Sequence, residues 1–159
     1  MSIRSKSTYE TLLYDFLKDI WVVCPHCGQQ ALVKCDQKTF AHIDEDAIRL
    51  ICTACGHSKR LSEIPQQHQW VSRVLVMGGA IDPYFHQRLW LIQPVGGNVL
   101  WAYNPAHLDF LEQHVQAQLR ERNTEHMRNK SLGSRLPKWM TSAKNRESVL
   151  KAIGQLREK

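Results

Sequence analysis

Two nearly identical five-residue phrases, CPHCG at residues 24–28 and CTACG at residues 52–56, constrain this chain more than any other feature. Each phrase places two thiols three positions apart and ends in glycine, which permits the positive φ with which a chain leaves a tight turn. Two such turns bring four thiolates to one point, where four like charges are tolerated only around a metal ion. The sequence therefore predicts a metal site whose ligands are Cys24, Cys27, Cys52 and Cys55.

The four-sulfur ligand set predicts one zinc ion with a structural role. Zinc bound by four thiolates is tetrahedral, and no coordination position remains for the water that a catalytic zinc holds. Iron also accepts four thiolates, so the spacing leaves iron open as the alternative. Cys35 lies outside both phrases, and we expect it to be a small buried residue rather than a ligand. We expect His26 and His57 to be exposed to solvent, with hydrogen bonding to the thiolates as the alternative.

The start of the chain indicates the compartment. Its first residues are basic, but Glu10 and Asp15 interrupt the apolar part that follows, unlike the hydrophobic stretch of a signal peptide. We therefore expect a cytoplasmic protein whose five cysteines serve metal binding rather than disulfides. Secretion without such a signal would reopen the disulfide alternative. The longest apolar run falls well short of the ~20 residues of a spanning helix, so we expect no membrane segment.

The pattern of apolar residues in the first half predicts a β-rich region preceded by a helix. IWVV and ALVKC should form a hairpin around the first cysteine phrase, because both are rich in strand-forming residues. TFAHID and IRLIC should be two further strands, joined by an acidic turn at residues 44–46. Apolar residues at helical spacing predict a helix over about residues 8–19.

The second half predicts a β-hairpin followed by amphipathic helices, which makes the chain an α+β protein. WVSRVLVM should be a strand and IDPYF a turn, and RLWLIQ and VLWAY flank the glycine turn PVGGN of the hairpin. Asn104 before Pro105 is typical of a helix start, and further helices should begin at Pro137 and after the candidate cap Asn145, the last one ending near Glu158. The first of these helices should bury one apolar stripe: Leu108, Leu111, Val115 and Leu119.

The sequence lacks the pattern of a common active site. The motifs GxxxxGK[ST], GxGxxG and HExxH do not occur, and no serine or cysteine stands with a histidine in a recognised nucleophile motif. We expect the two histidines of the predicted helix, His107 and His114, to face solvent. The chain is therefore predicted to be non-enzymatic and to have no small-molecule substrate.

Positive charge is concentrated near the C-terminus. The formal net charge is +6, and residues 120–159 hold 11 basic and 4 acidic residues, against 10 and 11 in residues 1–119. Lysines and arginines neutralise phosphates, and an aromatic ring can stack on a base, although both residue types also occur as ordinary surface and core residues. The predicted nucleic-acid contacts are Arg128, Lys130, Arg135, Lys138, Trp139, Lys144 and Arg146.

The cysteine phrases, within residues 21–61, resemble the zinc-ribbon fold group found in general transcription factors, RNA polymerase subunits and rubredoxin-like modules. LWAYNPAHLDFLE and SRLPKWMTSAKNR look similar to a group of bacterial zinc-ribbon proteins of unassigned activity. The resemblance implies a four-cysteine zinc ribbon joined to the β-hairpin and the C-terminal helices, but no activity. The polar segment PQQH predicts a boundary between residues 1–64 and 65–159, and the two parts could pack as one unit.

Together these features predict a cytoplasmic zinc-binding accessory protein that contacts nucleic acid, or a nucleic-acid-processing complex, through its basic C-terminal region. The alternative is a protein-binding module, such as an adaptor or a toxin-neutralising immunity protein, in which zinc only stiffens a docking surface. A salt series separates the two, because phosphate contacts weaken steeply as the salt concentration rises.

Overall fold

The computed structural model describes residues 16–36, 43–65, 76–116 and 136–159, and the chain divides into two compact units. The described residues of the sheet unit fall within Leu17–Ile92 and Trp101–Asn104, and those of the helical unit fall within Met1–Phe16, Gln93–Leu100 and Pro105–Lys159. Antiparallel sheets and C-terminal helices confirm the predicted α+β class.

The sheet unit contains a four-stranded antiparallel sheet in the order β1-β2-β3-β4. Its strands are β1 (Asp19–Val23), β2 (Gln30–Cys35), β3 (Ile48–Ile51) and β4 (Ser58–Arg60). The strands predicted from IWVV, ALVKC and IRLIC are confirmed, and the last of them ends at Ile51. The sequence SKR of β4 has no strand-forming residues and does not predict a strand. Alternate residues of the first three strands form one buried face: Ile20, Val22, Ala31, Val33, Cys35, Ile48 and Leu50.

The predicted C-terminal end of the first helix, at Asp19, is wrong. Residues 8–15 lie outside the described part of the chain, but the predicted last residue, Asp19, already belongs to β1. Ile20 and Val22 bury their side chains on the same face of that strand. Because every second residue is buried, as in a strand, the chain is extended here although the apolar residues before it have helical spacing.

The acidic turn forms where it is predicted, and most of the strand predicted before it lies outside the described residues. Residues 39–42 of TFAHID lie outside the described part of the chain, and Ile43 and Asp44 are not in a strand. The turn is a 3-10 helix, Glu45–Ala47, and the Asp44 carboxylate accepts a hydrogen bond from the Asp46 N–H at 3.2 Å. This is the usual role of aspartate before a helical turn.

The turn predicted at IDPYF is organised by a buried carboxylate. Ile81 and Arg88 form an antiparallel bridge at its base. Asp82 is fully buried, and burial raises the pKa of its carboxyl group, although backbone donors oppose the shift. Those donors are the N–H groups of Tyr84 at 2.9 Å, Phe85 at 2.7 Å and Gln87 at 2.6 Å.

The hairpin predicted around PVGGN is confirmed. β5 (Leu91–Val95) and β6 (Asn98–Ala102) form a two-stranded sheet. Gly96 has a φ of 59°, in the left-handed region that glycine adopts without a Cβ clash. The glycine pair therefore closes the hairpin as its sequence predicts.

The helical unit contains α1 (Pro105–Gln116), α2 (Lys138–Thr141) and α3 (Arg146–Arg157). The predicted helix starts are confirmed, but Asn145 does not cap α3 with its side chain, which donates to the Trp139 carbonyl at 2.9 Å. α1 and α3 pack on each other, and Leu119 lies outside the described residues. Each helix buries an apolar stripe, which includes Leu108, Leu111 and Val115 in α1 and Val149, Ile153 and Leu156 in α3.

The prediction that His107 and His114 face solvent is wrong. Both lie on the buried side of α1, with 2% and 3% of their surface exposed. The His107 ring stacks on Phe16 with ring centroids 4.8 Å apart, and the His114 ring stacks on Phe110 at 6.1 Å. Burial lowers the pKa of His107 to about 3, so this ring is neutral at neutral pH.

An ion-paired group joins α1 and α3 at the surface. Nη2 of Arg157 lies 2.6 Å from Oδ1 of Asp109, and Nε donates to Oε2 of Glu112 at 2.9 Å. The side chains of Arg157 and Asp109 are 40% and 52% exposed, so water screens much of the attraction. The two carboxylates therefore form a surface ion-paired group with Arg157.

Several predictions fall on residues outside the described ranges. They include residues 70–75 of the predicted strand WVSRVLVM and residues 66–68 of the predicted linker, so the boundary after residue 64 stays a prediction. Val76 and Met77, at the end of that strand prediction, are not in a strand. None of the helices within the described ranges combines the length and the apolar composition needed to cross a membrane.

Candidate metal centre

The two cysteine phrases form two turns with the same backbone hydrogen bonds, here called the knuckles. The first knuckle (residues 24–28) joins β1 to β2, and the second (residues 52–56) joins β3 to β4. In each knuckle the N–H of the first cysteine donates to the carbonyl five residues later, at 2.7 Å from Cys24 to Gln29 and 2.8 Å from Cys52 to His57. The repeated phrase therefore encodes a repeated structure.

A glycine closes each knuckle. Its N–H donates back to the carbonyl of the first cysteine, at 3.0 Å for Gly28 and 2.9 Å for Gly56. The two glycines have φ values of 74° and 77°, which strain a residue with a side chain. The predicted positive-φ exit from each turn is confirmed.

Four sulfur atoms from the knuckles gather at one point. Cys24 Sγ lies 3.8 Å from Cys55 Sγ, and Cys27 Sγ lies 3.6 Å from Cys52 Sγ. All four Sγ atoms lie within 4.8 Å of one another, so the cluster could hold a metal ion. Four sulfurs placed about 2.3 Å from a central ion form a tetrahedron with edges of about 3.8 Å, which both short distances match.

Backbone N–H groups favour the thiolate form of the first cysteine in each knuckle. Burial opposes ionisation of Cys24, but hydrogen bonds from the N–H groups of Cys27 and His26 outweigh it and lower the pKa of the thiol. The N–H of Cys55 has the largest effect on Cys52, and with the N–H of Ala54 it lowers the pKa of that thiol to about 7. Because the thiolate is the metal-binding form, the backbone prepares these two residues as ligands.

The second cysteine in each knuckle shifts in the opposite direction. The N–H groups of Gln29 and His57 favour the thiolates of Cys27 and Cys55. Burial and the sulfurs of Cys24 and Cys52 oppose them in both residues, and both pKa values are raised, to about 12 in Cys27. Four thiolates at these distances repel one another. A divalent cation at their centre removes this repulsion, so full ionisation of the cluster requires the cation.

The fifth cysteine lies outside the cluster, as predicted. Cys35 is on the buried face of β2 with 3% of its surface exposed, and its Sγ lies 3.5 Å from the Tyr84 hydroxyl. His26 lies within the first knuckle, and His57 directly follows the second. His26 is exposed, as expected, whereas His57 is half-buried, and their parallel rings stack with centroids 5.8 Å apart.

Four of the seven predicted nucleic-acid contacts are described, and they lie close together in sequence. Lys138 and Trp139 are on α2, Lys144 is in a 3-10 turn (Ala143–Asn145), and Arg146 begins α3. The two lysines are exposed, whereas Trp139 and Arg146 are half-buried. The other three predicted contacts lie outside the described residues: Arg128, Lys130 and Arg135.

Sequence reasoning finds the four candidate ligands and the turns that direct backbone N–H groups at their sulfurs, but not which residues supply those N–H groups. The N–H donors belong to residues of unrelated type, including His26, Gln29 and Ala54. A backbone donor leaves no trace in residue identity, because every non-proline residue carries one. The glycine at the end of each phrase indicates the turn geometry but does not identify the donor residues.

Fold and site together define an α+β protein with a four-cysteine cluster that could hold a metal ion. Comparison of the chain with protein-family models, curated proteins and solved structures found no match. What the site does must therefore follow from its own geometry and from the charge of the surfaces around it.

Proposed function

We propose that this chain is a zinc-binding, non-enzymatic accessory protein that contacts nucleic acid or a nucleic-acid-processing complex. The observation that carries the metal assignment is the pair of Sγ–Sγ distances, 3.8 and 3.6 Å, each joining one knuckle to the other. Both match the edge of a tetrahedral zinc–thiolate site. The proposed module is a zinc ribbon, with two knuckles at the ends of paired strands.

The ligand set supports a structural role for the metal. The four cysteines supply four sulfurs, and a tetrahedral ion bound by all of them keeps no position for water or substrate. The bound ion would join the turn after β1 to the turn after β3. Its contribution is therefore to folding rather than to catalysis.

Elemental analysis of purified, reduced protein tests the metal. We expect one zinc per chain, and retention of that zinc in Cys35→Ala, which changes a cysteine outside the cluster. Cys52→Ser should lose most of the metal. One iron per chain would change the metal but keep the site, whereas no tightly bound metal would contradict the proposal.

The nucleic-acid contact is supported by the charge of the C-terminal region. Lys138 and Lys144 are exposed within a few residues of each other, and residues 120–159 carry all of the excess positive charge of the chain. Lysines at a surface gain free energy by displacing counterions from phosphates.

A salt series tests this contact. We expect retention on heparin, and affinity for an oligonucleotide that falls with salt with a logarithmic slope of several units. Reversing both charges, in Lys138→Glu with Lys144→Glu, should lower the slope, whereas the double change Lys138→Arg with Lys144→Arg should preserve it. No retention at ~50 mM salt would remove the nucleic-acid proposal, and a stoichiometric protein partner recovered from extract would then support the protein-binding alternative.

A further inference from the structure

The solvent face of the four-stranded sheet carries a row of basic side chains that come from separate parts of the sequence. Antiparallel pairing aligns Lys34 of β2 with Arg49 of β3, and Arg49 with Arg60 of β4. All three are exposed, and directly paired residues point to the same face of a sheet. These three residues are here called the basic row, and Asp19 of β1 pairs with Lys34 at its end.

The acidic residue Asp19 pairs with the Lys34 end of the basic row, whereas Arg49 pairs only with Lys34 and Arg60. Within the described part of the chain, the side chains of Lys34, Arg49 and Arg60 form no ion pair with a carboxylate. Glu63 accepts a hydrogen bond from the backbone N–H of Arg60, at 2.6 Å. Like charges in successive cross-strand pairs destabilise a sheet, so this arrangement is favourable when an anion lies across the row.

A half-buried apolar strip runs beside the basic row on the same face. Trp21 of β1 pairs with Leu32 of β2, and Leu32 pairs with Ile51 of β3. All three side chains of this strip are partly exposed. Leu32 and Ile51 lie two positions along their strands from members of the basic row, a separation of about 7 Å.

We propose that this face of the sheet binds single-stranded nucleic acid, with phosphates on the basic row and bases on the apolar strip. The inference rests on the proposed nucleic-acid contact and names a surface and a ligand class for it. Neighbouring strands are about 4.8 Å apart, so the row spans about 10 Å. Three cations over this span can contact successive phosphates of one strand.

The apolar strip favours a single strand over a duplex. Bases of a single strand are free to leave their stack and to lie on aromatic side chains, whereas bases in a duplex present only their edges. Trp21 supplies an aromatic ring, and Leu32 and Ile51 extend the apolar surface beside it. A row of cations next to an aromatic platform is the usual pattern of single-strand binding without sequence preference.

Charge reversal in the centre of the row tests the proposal. The binding of a fluorescently labelled oligo(dT) to the full-length, metal-containing protein would be followed by fluorescence anisotropy at several salt concentrations. Arg49→Glu should weaken binding at least tenfold. The matched control is Lys59→Glu, because Lys59 is exposed on neighbouring β4 but pairs with the inward-facing Leu50. This control should stay within about twofold of wild type.

Two further variants separate phosphate contact from stacking. Arg49→Gln removes one cation without adding an anion, and the salt slope should fall by about 0.7, the value for one phosphate contact on a single strand. Trp21→Leu should weaken binding roughly tenfold with the salt slope unchanged, because base stacking is lost and no charge changes. Trp21→Phe keeps an aromatic ring and should bind nearly as well as wild type. Near-UV circular dichroism and metal content verify that each variant is folded, and Lys34→Glu repeats the test of the row in another strand.

The outcomes distinguish failure of this inference from failure of the proposed function. Equal weakening by Arg49→Glu and Lys59→Glu, or tighter binding of a duplex of the same length, would overturn the single-strand surface. Loss of binding only when Lys138 and Lys144 are reversed would overturn it too, while the proposed nucleic-acid contact would stand. If wild type binds no oligonucleotide at ~50 mM salt, the single-strand surface and the proposed nucleic-acid contact both fail. Binding of an acidic protein to the basic row would then take their place.

Discussion

The knuckles and the pair of long helices show two different ways of holding a chain in place. In the two knuckles only Cys24 and Cys52 are buried, and the remaining residues are exposed or half-exposed. In α1 and α3, by contrast, an apolar stripe on each helix is buried. The knuckles have almost no apolar surface of their own to bury. The proposed ion must therefore supply the stabilisation that burial of apolar side chains supplies in the helices.

The magnitudes of the two effects differ. A structural zinc site contributes on the order of 10 kcal/mol, concentrated in one ion. Full burial of a single leucine or isoleucine side chain contributes about 1.5–3 kcal/mol, so the helices draw their stability from many small contributions. Loss of the ion should therefore act as one large change in the knuckles, whereas each helix substitution should have a graded effect.

Metal removal is the change with the largest expected effect. A strong chelator, or Cys52→Ser, should remove on the order of 10 kcal/mol and abolish protection of the β1–β3 amides from hydrogen exchange. Protection in α1 and α3 should persist, because their buried stripes contain no metal ligand. Hydrogen exchange measured by mass spectrometry checks both regions at once. Equal loss of protection in both regions would contradict the claim that the metal stabilises the knuckles but not the two helices.

A cavity in the helical unit should have the complementary effect. Ile153 is 1% exposed, and Ile153→Ala replaces a buried branched side chain with a cavity. We expect the free energy of unfolding to fall by about 2–4 kcal/mol, the usual cost of such a cavity. Urea denaturation followed by helical circular dichroism measures this cost, and metal content should not change. Lys151→Ala on the exposed side of α3 is the control. If Ile153→Ala released the metal, the two regions would not be independent.

Loss of the buried carboxylate tests a part of the sheet unit that is held without the metal. Asp82→Ala leaves three backbone N–H groups without their acceptor, and we expect a loss of about 2–3 kcal/mol in the free energy of unfolding. The exposed Asp36→Ala should change stability by less than about 0.5 kcal/mol. Denaturation of the metal-containing protein gives both values. Similar stability of Asp82→Ala and wild type would show that water replaces the carboxylate.

The buried histidine of α1 makes stability depend on pH. The folded ring keeps its neutral form down to a pKa of about 3, whereas the unfolded ring takes up a proton near pH 6.5. Its contribution is therefore complete above pH 6.5 and decreases as the pH falls. Between pH 7 and 5 we expect a loss of about 2 kcal/mol that His107→Leu does not show. Identical slopes of unfolding free energy against pH in the two proteins would indicate that the folded ring takes up its proton at the same pH as the unfolded ring.

The smallest expected effect is at the surface ion-paired group. Arg157→Ala should cost less than about 1 kcal/mol, because exposed ion pairs are screened by water and salt. Thermal denaturation at low and high salt measures it, and the difference from wild type should shrink as salt rises. A larger, salt-independent loss would mean that the stem of Arg157 packs in the interface of α1 and α3.

The candidate metal site could be predicted from sequence because its ligands are local. Both cysteines of a pair lie within one turn, and the glycine reports the turn geometry directly. The helix starts at Pro105 and after Pro137 were predictable for the same reason, since proline acts within one turn of the chain. Features that depend on a few neighbouring residues can be predicted from the sequence alone.

Features that depend on pairing between distant segments could not be predicted. The basic row arises only from the register of β2, β3 and β4, and β4 itself has a sequence that indicates no strand. A count of charges over residues 1–119 is nearly balanced, which does not reveal that the strand register aligns three basic residues. His107 was misassigned because its stacking partner, Phe16, is far away in sequence.

X-ray absorption at the metal edge of the purified, reduced protein tests most directly whether one ion is bound by the four sulfurs of the two knuckles. The distances between Sγ atoms predict a first shell of four sulfur atoms at about 2.3 Å and no nitrogen or oxygen atom. A shell that contains nitrogen or oxygen, or fewer than four sulfurs, would contradict this assignment, as would a protein without metal.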